Sequence, residues 1–276
     1  MLTKDISYES GGRKLTGYYA VDDKRAGKRP GILVCHQGGG LRDHEKERAR
    51  KLAELGYAAF AYDVYGEVAS SPDQAMALLT ALIANPKLWH ERMLAGLQQL
   101  KAQAEVDAAR LGAIGFCFGG ASVLELTRIT ADLSCVVSFH PGLQGVPEKD
   151  ERPVHGKVVV CAGEKDPLIP AEGRDRLIAQ WKAAEADWQF LIYGRAGHSF
   201  TDAGVDAFGI PNFKYDAATD RRSWAVMRQM FEESFEFPAP PRGKIAGGEK
   251  DVRLLLRRTF PGLSNQALMS TLFPTP

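Results

Sequence analysis

One cysteine, one aspartate and one histidine stand where side chains could do covalent chemistry. Cys117 sits in Gly115-Phe116-Cys117-Phe118-Gly119-Gly120, directly after the apolar run Leu111–Ile114 and before Ala121-Ser122-Val123-Leu124, which reads as helix. A strand entering a helix through G-x-C-x-G has the pattern of a nucleophile elbow with Cys in place of Ser. The central residue of such a turn is strained, and side chains two positions either side would collide with it, hence the glycines. The turn aims the sulfur at the start of the next helix, where N–H groups favour a thiolate and can hold an oxyanion. A buried structural cysteine in a glycine-rich turn is the competing reading.

A thiol nucleophile needs a base, and the base needs an orienting group. Asp166 follows the apolar run Lys157–Cys161, and His198 follows Trp188–Tyr193 in Gly194-Arg195-Ala196-Gly197-His198-Ser199-Phe200. Taken singly, Asp166 reads as a turn or cap residue and His198 as a surface histidine. Together they give the chain order nucleophile, acid, histidine, each at the end of a strand. His36-Gln37-Gly38-Gly39-Gly40 follows the apolar run Gly31–Cys35. The backbone N–H groups of Gly38 and Phe118 are the expected oxyanion hole, with a bare glycine-rich turn as the alternative. His36 and His140 also lie near strand ends and read as pocket-wall or hydrogen-bonded structural residues rather than as a second base. Trp89, Phe116, Phe118 and Phe200 are available to line an apolar pocket, although core packing explains aromatics at such positions equally well.

The elements that position these residues alternate between strand and helix. Asp5–Tyr8 and Lys14–Ala20 read as an antiparallel hairpin across Ser10-Gly11-Gly12. Gly31–Cys35, Tyr57–Tyr62, Arg110–Gly115, Leu133–Phe139, Lys157–Cys161 and Trp188–Tyr193 read as strands, with Gly31–Cys35 a continuous apolar run of the kind covered on both faces. Arg42–Leu55, Pro72–Ala84, Lys87–Ala104, Ala171–Ala186 and Asp216–Phe235 read as helices. This alternation predicts an α/β fold: a mostly parallel, doubly wound sheet flanked by helices.

The sequence resembles the dienelactone hydrolase family, a cysteine-nucleophile branch of the α/β-hydrolases, over about residues 1–236. The resemblance rests on GFCFGG at Gly115–Gly120, EKDPLIP at Glu164–Pro170, GHSF at Gly197–Phe200 and GIPNFKYDAATDRRSW at Gly209–Trp224. It implies Cys117 as nucleophile, His198 as base and acid, and Asp166 as the residue orienting His198. Two departures stand out. The family commonly has Glu where this chain has Gln37, and that carboxylate helps ionise the thiol; with Gln37, activation of Cys117 falls to His198 directly. Members that bind a substrate carboxylate hold it with arginines, one of them a few residues after the histidine. Here that stretch reads Thr201-Asp202-Ala203, which implies a neutral ester or lactone.

The 276 residues and 45% hydrophobic content suffice for one large core. A net charge of +1 points to no nucleic-acid partner. Cys35, Cys117, Cys135 and Cys161 lie in or at the end of apolar runs, a pattern of reduced thiols rather than a disulfide framework or metal site, and no cofactor is expected. The N-terminal stretch lacks an apolar signal core and no run approaches a membrane span, so a cytoplasmic protein is expected, as monomer or homodimer. Residues 1–236 form the expected hydrolase domain. From Phe237 the character changes: Pro238-Ala239-Pro240-Pro241 is a break, and Arg242–Arg258 carries six Lys/Arg. Residues 237–276 read as a basic extension, either a flexible tail or an arm packing on a partner subunit.

The expected function is hydrolysis of a small ester or lactone through a thioacyl intermediate. The competing readings are a non-catalytic protein of the same fold that binds a small ligand, which the loss of the activating carboxylate at Gln37 favours, and a thiol redox protein, which lacks a resolving cysteine near Cys117.

Overall fold

A computed structural model describes residues 1–143 and 146–236. The basic extension expected at 237–276 lies outside the described residues. The described residues form an eight-stranded sheet in the order β1-β2-β4-β3-β5-β6-β7-β8. The strands are β1 (Leu2–Ser10), β2 (Arg13–Val21), β3 (Arg29–Cys35), β4 (Ala58–Tyr62), β5 (Val106–Phe116), β6 (Leu133–Phe139), β7 (Lys157–Gly163) and β8 (Asp187–Tyr193). The hairpin β1–β2 and the β2–β4 pair are antiparallel. All pairs from β4 through β3 to β8 are parallel. The mostly parallel, doubly wound sheet flanked by helices that the alternation of elements predicts is the one observed.

Each central strand is buried on both faces because its successive side chains enter two different cores. Leu33, Phe60, Ala113, Val136 and Val158 join one cluster, which receives Trp89, Met93 and Leu97 of α3 (Pro86–Lys101), Val123 and Leu126 of α4 (Phe118–Ile129), and Leu177 and Trp181 of α5 (Ala171–Ala183). Their neighbours Ile32, Ala59, Ile114, Val137 and Val159 join the other, which receives Ala49 and Leu52 of α1 (Asp43–Glu54) and Met227, Met230 and Phe231 of α6 (Ala217–Glu236). A two-residue period along each strand thus feeds a helix layer on either side, which is why apolar residues stand at successive positions and do not alternate with polar ones.

The connections place a topological switch at β3. From β3 the chain passes through α1 to β4 on one side; it returns through α2 (Pro72–Ile83) and α3 to β5 on the other. A crevice therefore opens at the carboxyl ends of β3 and β5, where open α/β sheets bind ligands. The loop beginning at His36 leaves β3 at that crevice, and Cys117 leaves β5 at the same place. The Asn85-Pro86 break works as a helix start: Asn85 Oδ1 accepts the Leu88 N–H at 3.2 Å and Pro86 takes the first helical position. β5 starts earlier than its apolar run suggests. Val106 and Asp107 pair with Arg29 and Pro30 across a bulge, an arrangement made by backbone hydrogen bonds that hydropathy does not register.

Candidate active site

The turn between β5 and α4 is built by close approach. A Cβ on Gly115 would lie 1.9 Å from the Gly119 carbonyl oxygen, and a Cβ on Gly119 would lie 2.2 Å from the Cys35 oxygen. With only hydrogens at both positions, helix α4 comes down onto the ends of β3 and β5. Cys117 caps this helix with φ 53° and ψ −114°, a strained conformation for a residue with a side chain. Its backbone N–H is shared between the Phe139 carbonyl at 3.1 Å and Nδ1 of His140 at 3.2 Å. Cys117 is part-exposed, whereas Cys35, Cys135 and Cys161 are buried.

The sulfur faces two backbone N–H groups, those of Gly38 and Phe118, and the imidazole of His198. Burial opposes ionisation of the thiol. The charge and contact of His198 and the two N–H groups outweigh it, and the thiol lies below its usual range. The converse holds at His198: burial disfavours the cation, but Cys117 and then Asp166 push the imidazole above its usual range. His198 Nε2 is buried and makes no hydrogen bond at rest, a looseness common in resting sites. Its other edge is fixed. Nδ1 lies 2.8 Å from Asp166 Oδ2, both side chains are fully buried, and Asp166 Oδ1 accepts the Leu168 N–H at 2.8 Å.

His198 is also gripped by its backbone. Its N–H donates to the Asn212 carbonyl at 2.7 Å, and its own carbonyl accepts the Lys214 N–H at 3.1 Å. The Phe213 ring sits 4.7 Å from the imidazole. The segment Gly209–Trp224 thus contributes a strap that seats the histidine.

The other sequence candidates occupy distinct places. His36 is buried; its Nδ1 lies 2.6 Å from the Gln37 carbonyl and its Nε2 accepts the Val64 N–H at 3.3 Å, tying the β3 loop to the β4 loop. Gln37 donates its amide to Asp202 Oδ2 at 2.9 Å, and its Oε1 lies 3.5 Å from Ser199 Oγ. Trp89 is buried, stacks on Phe118 at 5.5 Å and directs its indole N–H to Ser122. Phe200 is fully buried, with its ring 5.0 Å from His140.

Behind the site His140, expected as a pocket-wall or hydrogen-bonded structural residue, joins polar side chains that sequence reasoning passed over: Thr201, His44 and Glu45. His140 Nε2 lies 2.8 Å from Thr201 Oγ1, which lies 3.3 Å from His44 Nε2. His44 Nδ1 lies 3.2 Å from Glu45 Oε1, and that oxygen accepts the Gln37 N–H at 3.2 Å. The chain of contacts runs from the Cys117 backbone to the loop that carries Gly38. Burial, then the charges of His198 and His44, hold His140 well below its usual range, so it is neutral. Burial raises the Glu45 carboxyl, yet the bond and charge of His44 outweigh it and keep the carboxyl below its usual range. Glu45 had looked like one more charge on an amphipathic helix. Its one available signal was its place three residues after Arg42, whose N–H it accepts at 3.1 Å.

Asp202 also lines a cleft of about 540 Å³ with Leu41, Val68 and Phe208. Cys117 is not part of that lining. Among the described residues no group of three or more His, Cys, Asp or Glu could hold a metal ion, and no helix is long and apolar enough to cross a membrane.

Residues 15–235 match the family model of the dienelactone hydrolases. The chain belongs to that family. It is a carboxylic ester hydrolase of the α/β-hydrolase fold. A solved structure named m3DLH is 42% identical, covers 85% of this chain and 98% of its own, and superposes with a TM-score of 0.81. A dienelactone hydrolase-like promiscuous phosphotriesterase from metagenomic libraries is 37% identical with the same coverages and a TM-score of 0.80. A protein of Yersinia pestis named "Putative carboxymethylenebutenolidase" is 28% identical over 244 residues, 83% of this chain and 87% of that one.

Proposed function

We propose that this dienelactone hydrolase family member cleaves small, uncharged esters or lactones with Cys117 as nucleophile. The observation that carries the reading is the setting of the Cys117 sulfur: His198 and the N–H groups of Gly38 and Phe118 all act on it, while Asp166 holds the far edge of the imidazole. The thiolate attacks the carbonyl carbon, and the π electrons move to oxygen. The oxyanion is held by the two N–H groups, at the carboxyl ends of β3 and β5. When the tetrahedral intermediate collapses, His198 gives its proton to the departing alkoxide. His198 then takes a proton from water, the hydroxide attacks the thioacyl carbon, and the thiolate leaves with the acid as product. Asp166 keeps the imidazole in the tautomer whose Nε2 faces sulfur.

Asp202 supports the preference for uncharged substrates. It is an acid four residues after His198, and its neighbour Gln37 is bonded to it rather than left free to bind ligand. A substrate carboxylate approaching beside Gln37 would meet a like charge. The phosphotriesterase among the relatives makes neutral phosphotriesters a second class worth assaying beside esters and lactones.

The test is hydrolysis of p-nitrophenyl acetate and a panel of small lactones by wild type, Cys117→Ala and His198→Ala. Each substitution is expected to lower turnover by several orders of magnitude, on the scale of triad removals. Wild-type rates in Cys117→Ala would exclude the assignment. Tight binding of a lactone with no turnover by wild type would favour a non-catalytic binding protein instead.

A further inference from the structure

Tyr65 lies in the loop after β4, and its side chain is 1% exposed. Its hydroxyl is buried without any hydrogen-bond partner. A buried polar group left without a partner is costly, because it has given up its bond to water for nothing. The other buried phenols do not bear it: Tyr8 Oη donates to the Asp63 carbonyl at 2.7 Å, and Tyr19 Oη donates to Glu105 at 3.1 Å. Tyr65 is the one phenol among the few buried side-chain atoms of the described residues that lack a partner, and its place beside the thiol points to a partner that is present only part of the time.

The surroundings say which partner. The Tyr65 ring stacks on Phe118 at 6.1 Å with an interplanar angle of 12°, and Phe118 supplies one N–H of the oxyanion hole. Its ring also lies 5.0 Å from His36, which holds the Gln37 carbonyl one residue before Gly38, the source of the other N–H. Its backbone is pinned, with the Tyr65 N–H donating to Asp63 Oδ1 at 2.8 Å. The ring is thus wedged between the two loops that hold the oxyanion. Burial above all, and next the negative charge at Cys117, keep the phenol protonated and so a donor.

We infer that the Tyr65 hydroxyl is a third hydrogen-bond donor to the oxyanion of the tetrahedral intermediate, unpaired at rest and satisfied only when charge develops on the substrate oxygen. The inference rests on the Cys117 reading above. It makes Tyr65 a catalytic residue whose contact is made in the transition state and not with the ground-state substrate.

Tyr65→Phe tests it by removing a single oxygen. The expected result on p-nitrophenyl acetate is a fall in kcat of about 100-fold, in the range for loss of one oxyanion donor, with KM within about two-fold of wild type. Thermal stability should be unchanged or higher, because an unsatisfied polar atom has been deleted from the interior. The rate of Cys117 alkylation by iodoacetamide should stay as in wild type, since the thiolate is held by other groups. A wild-type kcat overturns the inference, and so does a raised KM at constant kcat, which would mean ground-state binding. A variant that loses stability or alkylation together with kcat also overturns it, because the hydroxyl would then be structural. Failure of the underlying reading registers elsewhere, as full turnover by Cys117→Ala.

Discussion

His140 Nδ1 accepts the backbone N–H of Cys117 at 3.2 Å, while its Nε2 lies 2.8 Å from Thr201 Oγ1. Since Nδ1 must be bare to accept, the proton of the neutral ring is on Nε2 and is donated to Thr201. The nucleophile's backbone is thereby tied to the segment that follows His198, three residues before Thr201, and through His44 and Glu45 to the loop of Gly38.

Thr201→Val cuts this tie while keeping shape. It leaves the Nε2–H of His140 buried without an acceptor, at a cost of about 1–3 kcal/mol in stability. kcat on a good ester should fall by roughly ten-fold with little change in KM, because sulfur and oxyanion loop lose their common frame. Thr201→Ser, which restores the oxygen, should recover most of the loss. Equal kcat in wild type and Thr201→Val would show that the tie does not position the nucleophile.

The thiolate can be followed by pH. The charge of His198 overcomes burial and holds Cys117 below the usual thiol range. Alkylation of the native enzyme by iodoacetamide should therefore stay fast as pH falls through and below about 8.5, where an ordinary thiol would slow. In His198→Asn the cation is gone and only the N–H groups of Gly38 and Phe118 still oppose burial, so the midpoint should move up by roughly 1–3 pH units. Mass spectrometry should find the label on Cys117, because burial keeps Cys35, Cys135 and Cys161 out of reach and pushes their thiols up to about 12. A midpoint unmoved by His198→Asn would separate the imidazole from the thiol.

Gln37→Glu replaces an amide that donates to Asp202 at 2.9 Å by a second carboxylate. Both residues are partly exposed, so the repulsion is screened and should cost about 1 kcal/mol or less. Thermal stability and turnover should both drop modestly at pH 7, recover as pH falls and one carboxyl is protonated, and recover at pH 7 in Gln37→Glu/Asp202→Asn. No change in the single variant would mean that the Gln37–Asp202 contact does not hold the loop.

Much of this protein was legible in its sequence because the relevant forces are local. The unbroken apolar run Gly31–Cys35 specifies a strand covered on both faces, and the structure places it there. The glycines at 115 and 119 announced a sharp turn at Cys117, and their missing side chains are what the contact with Cys35 requires. The order of Cys117, Asp166 and His198 at three strand ends was enough to pick out residues that the fold brings together.

Other features depended on partners far away in the chain. Tyr65 reads as an ordinary loop aromatic until Phe118 and His36 close around it. Glu45 reads as helix surface until His44 and the Gln37 backbone take up its oxygens. Gln37 and Asp202 are 165 residues apart, and His140 and Thr201 are 61 apart. Residue type and spacing set which segments pair and where the backbone must bend. Whether a polar atom is satisfied, stranded or charged is fixed only when tertiary packing excludes water and decides which groups remain within reach.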